Sequence, residues 1–473
     1  MNRNPLIGIE EAIWVFVVVF GLSWFGPSPS VDAVSPPPEG SYPDRQFRAS
    51  YQRVGGREIA EFNARQARTA QAENLTPRGG LKPIQQERWL AMARRLGGAG
   101  ETVTAGSTRT NIQGPLATAS WTGAVNTLWS NAGNWTAGGP PGATGNALFD
   151  ANFTTNHQPD ANGVTTGGIW MTSTVTHDVT ISGSLLTIAG NVAPTNGIRV
   201  DNSAFTLTMN PPTILTRDQT WTNNSTLAGN ALIVNGTNNL AGQQVTFDGD
   251  GNTLVTGVMG SVGGGSIVKN GTGTTTFTAS NTYGGPTTVN GGLLLVNGDQ
   301  LNANGLATVN SGGALGGSGI LGAAVVVNSG GNLAPGSGGN TTGILRSVGG
   351  LTLNAGSNFR IDINGTTVGT GYDQFVSGTV GAVAITGSNL TIHVGGTIMI
   401  GDTFLILDKT SSGAITGQFA QGTQVIADNG DIFSISYVGG SGNDVVLTHT
   451  GLGAPPARPT PIPRPRPTPP PRP

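Results

Sequence analysis

KNGTGTTTFTASNTYGGPTTVNGGLLLVNG, residues 269–298, is the stretch whose reading decides the fold. It holds three runs rich in Thr, Val and Leu, at 274–279, 286–289 and 292–296, each closed by Gly or Asn. β-branched runs of four to six residues between such turn signals read as strands. The Asn-Gly-Gly turn that follows Val289 comes back along the chain. Asn290, Asn310, Asn328 and Asn354 each follow a Val or Leu and precede a glycine or small residue, at steps of 20, 18 and 26. A period near 20 marks a solenoid in which each repeat is one turn of the coil. Hairpins of a sandwich would not bring one motif back at a full-turn spacing. Asn at that place suits a left-handed turn position and a ladder of stacked side-chain amides. The expected fold is all-β, a right-handed parallel β-helix. Residues 101–450 would give about 17 turns and a length on the order of 80 Å at ~4.8 Å per strand.

Composition agrees with that reading. Of 473 residues 76 are Gly and 10% are charged, without the strict triplet of collagen. Enough Val, Ile, Leu and Phe is present to fill a core, so low charge does not imply disorder. Cysteine is absent, so stacking and hydrogen bonds must hold the fold. The net charge of −2 hides an uneven layout: residues 101–450 carry seven Arg/Lys against sixteen Asp/Glu. An acidic coil argues against nucleic acid as a partner.

Outside the coil, Arg3, the apolar run 12–25 and Val31-Asp32-Ala33 read as a signal peptide over 1–33, cut after Ala33. Residues 34–100 form a basic, partly helical linker. Within 101–450, the Trp-rich segment 120–150 is the candidate first cap and 372–450 the candidate last cap. Residues 451–473 are a Pro/Arg-rich tail of extended polyproline type that cannot form a core.

Residues 269–298 resemble the autotransporter-associated β-strand repeat. Gly271–Thr275 supply its GTGT turn, Asn281-Thr282-Tyr283 with Thr287-Thr288-Val289 its first strand, and Asn290-Gly291-Gly292 through Val296 its second. The segments 310–322, 328–337, 351–365 and 435–448 resemble the usual continuation. Trp121-Thr122-Gly123, Trp129-Ser130 and Asn134-Trp135 are similar to the opening of exported planctomycete and verrucomicrobial repeat proteins. The resemblance implies an exported β-helix of the cell surface, outer envelope or extracellular space, structural or adhesive, with surface glycans or envelope polymers as partners. The 23 Pro-rich residues after Thr450 lack the alternating strands of a membrane barrel, so an integral barrel is not expected.

Candidate chemistry is sparse. No P-loop or HExxH is present, and His157, His177, His393 and His449 lack metal-helix spacing. Gly317–Gly322 matches G-x-G-x-x-G by letter, but without a βαβ context its glycines read as turns. Asp248, Asp250 and Asn252 place oxygens at i, i+2 and i+4, as calcium loops do, without the rest of such a loop. Asp444 lies in one copy of a G-G-x-G-x-D nonapeptide, 439–447, whose calcium sites need stacked copies. Calcium is therefore the one ion to consider, and turn roles are expected for these four residues. The alternatives to an adhesive role are a carbohydrate-binding module, with Trp121, Trp129 and Trp135 stacking on sugars, and a polysaccharide lyase or glycosidase. Asp362, Asp373 and Asp402 look scattered, so no catalytic residues and no enzymatic activity are expected.

Overall fold

Ile267, Thr287, Ala307, Val325, Leu351 and Val383 are successive Cα partners in one parallel ladder, although 18 to 32 residues of chain separate each from the next. Such a ladder requires the chain to coil. The computed structural model describes residues 118–452, except 191–196, 261–262 and 379. Over that span it is a parallel β-helix with three sheets. The signal segment, the linker and nearly all of the tail lie outside the described residues.

The first sheet has 13 strands, from Ala119–Ser120 to Thr416–Gln418. Most are three to five residues long and alternate buried, half-buried, buried, because their outer residues alone see solvent. The second face runs through Leu207–Met209 and Gly292–Val296 to Asn389–Val394. The long strand Val179–Ile188 turns the corner to the third face. Its first half pairs with Leu207–Met209 and its second with Thr213–Leu215. That face continues as Asp299–Gln300 through Thr403–Lys409, beyond a single bridge between Gly260 and Thr282.

Interior side chains stack in columns. One reads Trp221, Phe247, Lys269, Val289, Val309, Val327, Leu353, Ile385. Each buried aliphatic member contributes about 1.5–3 kcal/mol relative to exposure. Lys269 breaks the apolar run. Its ammonium donates to the carbonyls of Gly271 and Gly291, and burial pulls it down to about 8, against Asp248 and Asp250, which favour the charge.

The expected amide ladder is present, one rung longer than the sequence motif. Asn290, Asn310, Asn328 and Asn354 each donate Nδ2–H to Oδ1 of the asparagine one turn earlier, beginning at Asn270, over 2.7–2.9 Å. Gly292 beside it has φ +59, and a Cβ there would meet the carbonyls of Gly271 and Gly273. Gly317 of the G-x-G-x-x-G match has φ +115, so it serves a turn.

The first sheet corrects the turn count, with 13 strands where about 17 turns were expected. The period of 18–20 holds only around Asn270–Asn328. Elsewhere a turn takes up to 32 residues, as from Leu353 to Ile385, because loops leave the corners.

The C-terminal end of the described coil is closed. At the last turn Thr403–Lys409 pairs antiparallel with Asp444–Gly451, which pairs with Ile432–Gly439, and that with Gln424–Ile426. The open edge of Asn389–Val394 meets a side chain instead of a strand. The Gln421 amide accepts from Leu390 N–H and donates to Leu390 C=O, each at 3.1 Å, as a neighbouring backbone would.

Candidate functional site

The tryptophans of the opening segment sit under the first turn. Trp121 and Trp129 are fully buried and Trp135 nearly so. Trp135 meets Trp121 and Trp129 edge to face, at 5.1 and 4.9 Å between ring centres. Trp135 Nε1–H donates to Trp129 C=O at 2.7 Å. The Asn134 carboxamide ties the loop, accepting from Val125 and Asn126 N–H and donating to Leu128 C=O. The alternative of sugar stacking by these three rings finds no exposed face: a ring must show a face to stack on a sugar, and these turn theirs to one another. Trp221 is buried as well. Trp170 is half-buried, with the Arg199 guanidinium 5.3 Å from its ring centre and Asp201 accepting its Nε1–H.

The oxygen-rich candidates do not converge. Asp248 Oδ1 accepts the N–H of Gly249, Asp250 Oδ1 the hydroxyl of Thr272, and Asn252 Oδ1 the N–H of Thr274. Each therefore braces a backbone or the next turn. Asp444 lies in the terminal hairpin, where its carboxylate accepts Lys409 N–H at 2.8 Å, Ser441 N–H at 2.7 Å and Ser441 Oγ–H at 3.0 Å. The Lys409 ammonium donates to the carbonyls of Ser411, Ser412 and Gly413 at 2.7–2.8 Å. The Asp444 carboxylate is thus occupied by backbone and hydroxyl donors of the protein. Among the described residues no group of three or more His, Asp or Glu side chains is arranged to hold a metal.

The structure also corrects the reading of the acids as scattered. Asp362 and Asp373 are eleven apart in sequence, and the loop between them folds back so that Asn364 N–H donates to Gly371 C=O. Asp373 is buried, and its two oxygens accept Gly343 N–H at 2.7 Å and Asp362 N–H at 2.9 Å. Asp362 lies 2.9 Å from an Arg360 nitrogen and opposite His393 on the neighbouring strand, and His393 bonds Asp428. Asp402 stands apart, accepting Met399 N–H. His157 and His177, also separate in sequence, stack at 4.0 Å between ring centres. Pairs such as these are set by turn length, which no local motif encodes.

Burial pushes Asp373 up to about 7, although the two N–H donors and Arg360 favour its charge. Its ordinary value is 3.8, so the fold keeps a proton that the unfolded chain has lost. Stability linked to this group is therefore greatest below about pH 4 and falls until about pH 7, by an amount on the order of a few kcal/mol. Wild-type protein is expected to melt lower at pH 8 than at pH 5. Asp373→Asn, neutral throughout, should reduce that drop, and equal drops in both proteins would refute the linkage.

These clusters brace turns and strand ends of the coil. The passenger-associated-transport-repeat family matches residues 267–296, which hold the Asn-Gly-Gly turn and the first step of the amide ladder, Asn270 to Asn290. A segment of 81 residues, 17% of this chain, is 52% identical to the adhesin BmaC autotransporter of Brucella suis biovar 1 (strain 1330). The match spans 2% of that relative's length. No described helix is long and apolar enough to cross a membrane. The chain carries a passenger-associated-transport repeat, residues 267–296, within a parallel β-helix.

Proposed function

We propose that this chain is a non-catalytic adhesive coil that holds a cell surface to other surfaces. The observation that carries the reading is the 81-residue match at 52% identity to a protein named as an adhesin. The enzymatic alternative would draw on Asp362 and Asp373. Asp373 accepts two backbone N–H groups and Asp362 faces Arg360, which supports bracing roles over acid–base chemistry. The full chain coupled to beads should hold them on cultured-cell and polysaccharide-coated surfaces more than albumin-coated beads. Beads that wash off every surface would refute adhesion. Release of reducing ends from a polysaccharide, lost in Asp362→Asn, would replace it with catalysis.

A further inference from the structure

We propose that the outer face of the first sheet, from Ser266–Lys269 to Val383–Thr386, binds an uncharged polysaccharide chain; this rests on the adhesive reading and names its partner. The outward residue of each successive strand in that stretch is Val268, Thr288, Thr308, Val326, Thr352 or Ala384, all half-buried and in register. They form a flat strip of methyl and hydroxyl groups. Two residues further along the strands runs the asparagine ladder, Asn270 to Asn354. Each inner amide gives one N–H and accepts one, which leaves a second N–H and a second lone pair for solvent or a ligand.

Charge selects the class of partner. The one ionisable residue in these six strands, Lys269, points inward and is 2% exposed. An acidic or basic polymer finds no counter-charge here, whereas a neutral sugar chain offers alternating hydroxyls and C–H faces to the amides and methyls. Size points the same way. Six strands at about 4.8 Å and three positions across at ~3.3 Å per residue give an area on the order of 300 Å². Each partner in a stable protein complex buries about 800 Å². The strip is too narrow for a second copy and wide enough for a thread. With no aromatic ring on it, single contacts are weak, and affinity builds along the polymer.

The test is co-sedimentation of the full chain with insoluble β-glucan and chitin, with polygalacturonate beads as the acidic comparator. Retention on a neutral polymer is expected, unchanged when salt rises to about 0.5 M, because no ion pair is screened. Thr308→Glu/Val326→Glu should lower the bound fraction about tenfold, whereas Thr276→Glu, half-buried on the second face, should not. Circular dichroism checks that the coil persists, and Thr352→Lys serves if the double variant misfolds. No retention on either neutral polymer, or equal retention of the variants, overturns the proposal. So does a wild-type dimer in light scattering that the double variant breaks, which would make the face a self-contact. Beads that adhere equally with wild type and double variant would leave adhesion standing and remove only this face.

Discussion

Trp129→Ala is expected to lower stability by about 3–5 kcal/mol, as for other large aromatic side chains deleted from a core. The indole is fully buried, and Trp135, Trp121 and Phe149 pack against it at 4.9, 6.4 and 6.3 Å between ring centres. Among the described residues no strand precedes Ala119–Ser120. In a coil whose turns touch only their neighbours, stability is close to a sum of local and nearest-neighbour contributions. The loss should therefore appear at one end, as an early transition in guanidinium unfolding followed by tryptophan fluorescence. Trp129→Phe should be milder, because the Trp129 indole N–H has no hydrogen-bond partner to lose. A single transition displaced by less than about 1 kcal/mol would show that the first turns do not depend on this cap.

Asp444→Ala should produce the second large loss, about 3 kcal/mol, at the opposite end. It strips the acceptor from the buried Lys409 N–H, an unsatisfied donor that costs ~1–3 kcal/mol, and releases the Ser441 turn that the carboxylate also holds. Asp444→Asn keeps one acceptor oxygen and should fall between. Because the carboxylate already holds protein donors, a chelator should leave the wild-type melt where it is. A bound ion would instead add ~2.7 kcal/mol at a hundredfold excess over its dissociation constant, so a saturable calcium-dependent rise would overturn this account of the turn.

Three kinds of feature differ in how far they can be read from the chain. The coil and its ladder are local and periodic: an Asn after Val or Leu and before a small residue recurs, and each recurrence predicts the same turn, so Asn290, Asn310, Asn328 and Asn354 declare themselves. The tryptophans declare their bulk but not their direction, since a cap and a sugar platform use the same residue type. Burial of Trp121, Trp129 and Trp135 follows from the position of the first turn, which depends on the loop lengths before Asn146–Phe149. Contacts across irregular turns stay hidden. Asp373 reaches Gly343, thirty residues away, and Lys409 reaches Asp444, thirty-five away. Gln421 acting as a strand for Leu390 has no motif at all.

The ladder has a mechanical consequence. Under tension along the axis, a coil of this kind opens turn from turn, and each opening breaks a short row of parallel backbone bonds together with whatever links the side chains. Between Asn270 and Asn354 every junction carries one extra amide bond in line with the load. The next turn is joined in the same way on the second face, Asn389 donating to Asn358, so rupture should begin outside both stretches, at junctions that carry neither. A surface filament pulled by flow would yield there first and keep its most regular segment coiled.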